Sequence, residues 1–455
     1  MGQAYRSTYA QFLIVAAIYF FAQASYMIVN GVGGGGLKDS SVAARSNFFA
    51  NIASSVVGLF SGALHNYLGS RLALLIGCLA YMFYALSYFI YGMTGNPIIV
   101  FVAGICFGLS VTLFWTAQGS LMLSYPSEEH RGKYITTFFL AFSASGIIGG
   151  LMTIFLNLNS TSSELGVETY WAAIAAGAVG TILTFFLRPN SRLVRDDGGA
   201  VETVKFSGWR NEMGGMGKVF TNRHMLLLTP VFMVFGTYFT YISNGYNFSL
   251  FTIQARGLNA TLFSVSGMAG SLVFGFFMDK VKLALRPRGF LVASVLTALI
   301  CVSWISASFV QGSHTRESEH GIFGLNSSYY WSILIIYIIW GFLDSTLNAF
   351  SFWIMGGVTS DATELARFTG YSRCLQGLGG VLSWGLDTIK VPYIIMLWVS
   401  FALLLVGMAF SVFSIMILPQ REEDSTFDTS SEHEAFAPID DKKAPKIDRP
   451  GHLEA

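Results

Sequence analysis

Apolar runs of about twenty residues recur about twelve times along this chain, separated by short polar breaks. Their approximate limits are 9–29, 46–66, 71–92, 97–122, 134–156, 169–188, 224–243, 260–279, 288–310, 329–354, 368–386 and 392–418. A helix rises about 1.5 Å per residue, so each run is long enough to cross a hydrocarbon layer about 30 Å thick. The second run is interrupted by serine and glycine, and the eleventh contains Arg373 and several glycines. The first is too long for the core of a secretion signal and lacks a clear cleavage site, so it is expected to be the first membrane helix. A polar stretch, 188–223, divides six runs from six. The predicted organisation is therefore a six-helix bundle over 1–188, a cytoplasmic linker over 189–223 and a second bundle over 224–418. The tail, 419–455, is polar and acid-rich and is expected to be disordered and cytoplasmic, because it has too little apolar surface to bury.

Composition agrees with the pattern. Hydrophobic residues make up 53% of the chain and charged residues 12%, and the mean hydropathy is +0.55, whereas soluble domains carry roughly 25% charged residues. The lipid bilayer is thus the surrounding this chain requires, and nothing in its charge pattern points to nucleic acid. The charges sit in loops. Lys and Arg crowd the connection between the sixth and seventh runs, the loop after the eighth (Lys280, Lys282, Arg286, Arg288) and the loop after the fourth (Arg131, Lys133), while the loops after the third and fifth have none. Positive loops remain inside, so both termini are expected in the cytoplasm, at the plasma membrane or an internal one. The glycosylation acceptors Asn159, Asn247, Asn259 and Asn326 all fall on the opposite, outer side of this topology.

The halves repeat. GALHNYLGSR at 62–71 closes the second run and GFFMD at 275–279 closes the eighth, while FW followed by glycine recurs at 114–119 and 352–357. Two six-helix repeats in one orientation form a known transporter architecture. The expected fold is an all-α polytopic membrane protein of about twelve helices in two pseudo-repeats. No catalytic constellation, cofactor motif or metal-ligand spacing is visible, and the four cysteines lie within apolar runs, so neither an enzyme nor a disulfide framework is indicated. The glycine run at 33–36 lacks the Gly-Lys-Ser/Thr ending of a phosphate loop and is expected to give flexible backbone.

The stretch 62–71, with Gly62, Asn66, Gly69 and Arg71, resembles the signature loop of the major facilitator superfamily. That resemblance implies a tight glycine turn and an acid with following cations that anchor helix ends across a cytoplasmic gate. The position of the acid is taken here by Asn66, whereas the second-half counterpart keeps Gly275 and Asp279. A narrower resemblance is to the uncoordinated-93-like (UNC-93-like) branch, particularly fungal members. It rests on NGVGGGG at 30–36, FWTAQG at 114–119, RGKY at 131–134, NGYN at 244–247 and GFLD at 341–344. It covers residues 9–418 and implies ion homeostasis, channel regulation or chaperoning of other membrane proteins.

One membrane run carries a carboxylate well away from its ends, Asp344, with Asn348 and Ser351 on the same helical face. A charge at this depth costs at least about 2.5 kcal/mol and normally faces a bundle interior or a watery cavity. Asp344 is a candidate proton or cation site; alternatively it is structural, tied to a neighbouring helix or paired with Arg373. By the repeat, Asp344 corresponds to Cys106 and Asn348 to Ser110, so the charge is an addition to the shared scaffold. Arg373 is expected to snorkel near the cytoplasmic end of its helix. Gln23 and Gln118 could line a central path or tie helices together, and Tyr238, Tyr241 and Tyr26 could contact solute or anchor the interface. Two functions fit: a secondary transporter of a small solute or monovalent cation, working by rocking of its halves, or a transporter-shaped regulator, chaperone or trafficking partner of another membrane protein.

Overall fold

The chain folds into helices because its apolar runs can satisfy backbone polar groups inside a membrane only locally. A computed structural model describes residues 7–30, 40–127, 130–157, 166–195, 199, 201, 206, 208–281, 283–318 and 321–418. The expectations for the glycine run at 33–36, for Asn159 and for the tail fall outside these residues. Six long helices come first: α1 (Thr8–Asn30), α2 (Ser40–Leu68), α3 (Ser70–Thr94), α4 (Ile98–Ser124), α5 (Arg131–Asn157) and α6 (Val167–Leu183). A short helix, α7 (Trp209–Thr221), precedes six more: α8 (Arg223–Thr240), α9 (Ile253–Lys280), α10 (Leu285–Gly312), α11 (Tyr330–Val358), α12 (Ala362–Thr388) and α13 (Tyr393–Met416). A π-helical stretch, Tyr241–Phe248, continues α8.

Among the described residues, eleven of these helices are long and apolar enough to cross a membrane. The exception among the long ones is α12. Its 27 residues include Arg373 and several glycines, and most of its length is buried against α2, α4 and α8 rather than left to lipid. Polar groups and glycines are tolerated there because the neighbours are protein.

The halves meet along two matching seams, α2 on α12 and α9 on α5. Glycines set the first. A Cβ on Gly58 would lie 2.5 Å from Cys374 Cα, and one on Gly62 would lie 2.7 Å from Arg367 Cα. In the second seam Gly275 lies directly against Thr136, and Gly132 against the Asp279 carboxylate. At the end of α2 the chain reverses through Gly69, whose φ of +78° is open to glycine at little cost. Its N–H donates to the His65 carbonyl at 2.8 Å, so α3 starts at once.

Gly58→Val is expected to force these backbones apart. Overpacking costs about 1–3 kcal/mol, so the detergent-solubilised protein should melt several degrees lower. Gly92→Val, at a position with nothing within 4 Å, should leave the melting temperature unchanged. Equal behaviour of the two variants would show that the α2–α12 seam is not close-packed.

Candidate functional site

Asp344 stands at the middle of α11, fourteen residues from either end. At 1.5 Å per residue that is about 21 Å along the helix, well inside the membrane. The Tyr238 hydroxyl donates to Asp344 Oδ1 at 2.5 Å. One turn on, the Asn348 amide donates to the Asp344 carbonyl at 2.8 Å, and Ser351 Oγ donates to the Asn348 carbonyl at 2.8 Å. Tyr238 is held edge-on to Trp304, with ring centroids 6.3 Å apart, and Trp304 lies 5.0 Å from Trp340. Asp344 and Asn348 are half-buried, whereas Leu343, Ser345, Thr346 and Leu347 are buried, so the two polar side chains lie on the less enclosed face of α11. The ion pairs among the described residues are Arg316–Asp387 and Arg367–Glu212, and Asp344 belongs to neither. The pairing with Arg373 does not form.

The structure separates the other candidates from this group. Gln23 is buried and accepts from the Tyr81 hydroxyl at 3.0 Å. Gln118 is fully buried and donates to Met122 Sδ at 3.2 Å within its own helix. Both amides are enclosed in first-half packing rather than displayed along a path. Tyr26 stacks on Phe107 with centroids 5.5 Å apart, and the Tyr241 hydroxyl donates to Gln311 Oε1 at 3.0 Å.

Arg373 differs from its sequence expectation. Because α12 begins at Ala362, the residue lies eleven positions into the helix, about 16 Å along it, too deep to snorkel. It is 8% exposed, and its guanidinium carbon sits 4.1 Å from the Trp115 ring centroid and 5.7 Å from that of Phe352. Nη1 donates to Gln376 Oε1, and Nε is buried with no hydrogen-bond partner.

Around the turn at Gly69 the structure supplies the acid that position 66 lacks. Glu212, from α7, is fully buried and receives Arg367 Nη2 at 2.8 Å and Nε at 3.1 Å. The Asn66 amide donates to the same carboxylate oxygen at 3.1 Å. Helix α7 delivers it because Glu212, Met216 and Val219, at helical spacing, form its buried face. Neutral Asn66 therefore does not leave this seam without a charge pairing; a linker residue provides it. Three more contacts join the halves at this end. The Arg131 guanidinium donates to the Gly356 carbonyl at the C-terminal end of α11, Ser120 Oγ donates to the Ala362 carbonyl at 3.4 Å, and Asp279 lies against Gly132. A cation at a helix C-terminus complements the helix dipole. Arg71 does not cross between halves: Nη2 donates to the Phe185 carbonyl at 3.2 Å, tying the start of α3 to the segment after α6.

The glycosylation candidates divide. Asn326 is exposed. Asn247 and Asn259 are buried: Asn259 Nδ2 donates to Asn247 Oδ1 at 2.9 Å, and the Tyr330 hydroxyl donates to Asn259 Oδ1 at 2.7 Å. These two side chains serve the packing between the π-helical stretch, α9 and α11, and are enclosed rather than displayed at the surface.

Twelve long helices arranged in this way define a multi-pass helical membrane protein of the major facilitator type. The Escherichia coli fucose:proton symporter FucP, a major facilitator superfamily transporter, superposes with a TM-score of 0.62 at 12% identity, covering 90% of this chain and 99% of that one. Within that class the chain belongs to the UNC-93 family, whose model, described as ion channel regulatory protein UNC-93, matches residues 45–381. It is 29% identical over 424 residues to UNC93-like protein 1 of Arabidopsis thaliana, covering 92% of each chain. It is 30% identical over 395 residues to UNC93-like protein C922.05c of Schizosaccharomyces pombe, covering 86% of this chain and 78% of that one. The family's description is that of an ion channel regulator and the fold is one that FucP shares; neither is an enzyme class.

Proposed function

We propose that this protein is a secondary transporter of a small solute or monovalent cation, in which residues 1–188 and 224–418 rock about a central site. Asp344 is the coupling residue. The observation that carries this reading is a half-buried carboxylate at mid-membrane with one tyrosine donor and no cation on it. A purely structural acid at that depth is normally paired. In this reading both termini are cytoplasmic, and the contacts Arg367–Glu212, Arg131–Gly356 and Ser120–Ala362 support a gate closed on that side. Asn348 and Tyr238 orient the site, and the Gly62–Arg71 and Gly275–Asp279 loops serve the gate.

A second reading has the family's own description behind it: a regulator of a channel, without flux of its own. Vesicles reconstituted with purified protein, loaded with a pH-reporting dye and given potassium or sodium gradients, separate the two. Transport predicts protein-dependent movement of protons or of the cation. Silence with protons, potassium and sodium, together with a channel that co-purifies in fixed ratio, supports the regulator.

A further inference from the structure

Arg373 is a cation without an anion. It lies between the halves, 8% exposed, on the faces of Trp115 and Phe352. No carboxylate among the described residues forms an ion pair with it. Its hydrogen-bond partner is a neutral amide oxygen, Gln376 Oε1, and Nε has none. Removing an arginine from water is costly, and aromatic faces return only part of that cost. A second orphan lies beside it: the Tyr19 hydroxyl is buried without a partner, and its ring is edge-on to the same Trp115 at 4.6 Å. Two further aromatic rings adjoin them, Phe138 and Phe142, each within 6 Å of the Trp115 centroid.

We infer that Arg373 is the seat of an anionic oxygen group on an organic solute, whose apolar body lies against Trp115 and Phe352. The planar guanidinium fork matches a carboxylate with two parallel donors. The half-buried Gln376 amide holds one of those donors and moves aside when the solute binds. This names the substrate class for the transport reading and rests on it for the solute's passage, but not for its binding.

The test is ligand-dependent melting of the full-length protein in neutral detergent, followed by tryptophan fluorescence, with benzoate as the probe and benzamide as its uncharged counterpart. Benzoate should raise the melting temperature saturably and benzamide should not. Arg373→Gln should weaken the benzoate response at least tenfold while leaving the unliganded protein as stable as before, because the cation it removes has no compensating acid. Gln376→Glu, which ties a carboxylate to the guanidinium from within, should raise the unliganded melting temperature and abolish the benzoate response. Equal effects of benzoate and benzamide, or a benzoate response that survives Gln376→Glu undiminished, overturn the proposal. So does an Arg373-dependent response to phosphatidylglycerol alone, which would make the anion a lipid headgroup. Absence of vesicle flux when benzoate is supplied as the solute, with the melting response to it intact, counts against transport and leaves this site standing. Flux without the response counts against the site and leaves transport standing.

Discussion

Asp344→Asn is expected to abolish ion-coupled flux while leaving the protein folded and no less stable. The substitution keeps size and shape, and its amide oxygen can still accept from the Tyr238 hydroxyl that now lies 2.5 Å from Oδ1. What disappears is the charge, or the proton that neutralises it. A carboxylate in a membrane costs free energy that neutral asparagine largely avoids, and here no ion pair offsets that cost. Melting temperature should therefore hold or rise. Ion-coupled rate should fall at least about tenfold, the factor that about 1.4 kcal/mol represents. Tyr238→Phe should have a smaller effect of the same kind, since it removes a donor and keeps the charge. Proteoliposome flux and thermal melting of the same preparations check both statements. A variant that melts several degrees lower yet transports at the wild-type rate would make Asp344 a structural tie.

Glu212→Ala is expected to open the cytoplasmic end. The lost carboxylate is completely buried and serves a donor on each half, Asn66 on α2 and Arg367 on α12. Removing one member of a buried ion pair costs about 3–5 kcal/mol, and Arg367, 16% exposed, places this case at the lower end. Because the contact belongs to the closed arrangement, the loss falls on that state, and about 3 kcal/mol shifts a two-state equilibrium more than a hundredfold. Exchanging the acid tests the chemistry. Asn66→Asp alone brings a second carboxylate against Glu212 and should weaken the closed state through like-charge repulsion. Combined with Glu212→Gln, the same change should restore it, since one acid again faces Arg367. Such a reversal is a coupling that independent effects cannot imitate. It would be read as the accessibility of a cysteine placed at buried Thr116, which hydrogen-bonds Ser61 more than one turn further into the membrane than Asn66. Additive losses in the double variant would mean that the three side chains do not act together.

The membrane helices are legible in sequence because bilayer thickness imposes a length, and even the weak eleventh run proved to be a full helix. Its extent was not legible. Residues 362–367 read as loop because they are polar, yet they start α12 and draw Arg373 inward. A long side chain near an apparent helix end is normally free to reach water; here Trp115, 258 positions away in the chain, takes it instead. Asp344 and Tyr238 were each visible as polar groups in apolar runs, but their hydrogen bond joins residues 106 apart, and no local pattern encodes that. Glu212 sits in the polar linker, where no apolar run marks it. The usable signal was its place with Met216 and Val219 at i, i+4 and i+7, an apolar stripe with one acid on it. Asn247 and Asn259 misled for the opposite reason. A sequon reads as surface, but the π-helical continuation of α8 carries Asn247 into contact with Asn259.

Alternation between the two ends is the central claim, and pulsed electron paramagnetic resonance on full-length protein in lipid nanodiscs tests it most directly. Spin labels at exposed Leu72 and Leu283 report the end that bears the latch, and labels at exposed Met93 and Phe309 report the other, in a background whose four native cysteines are replaced. The account predicts two distance populations for each pair. Glu212→Ala should shift the first pair to longer and the second to shorter distances. A single distance for each pair, unmoved by Glu212→Ala, would contradict it.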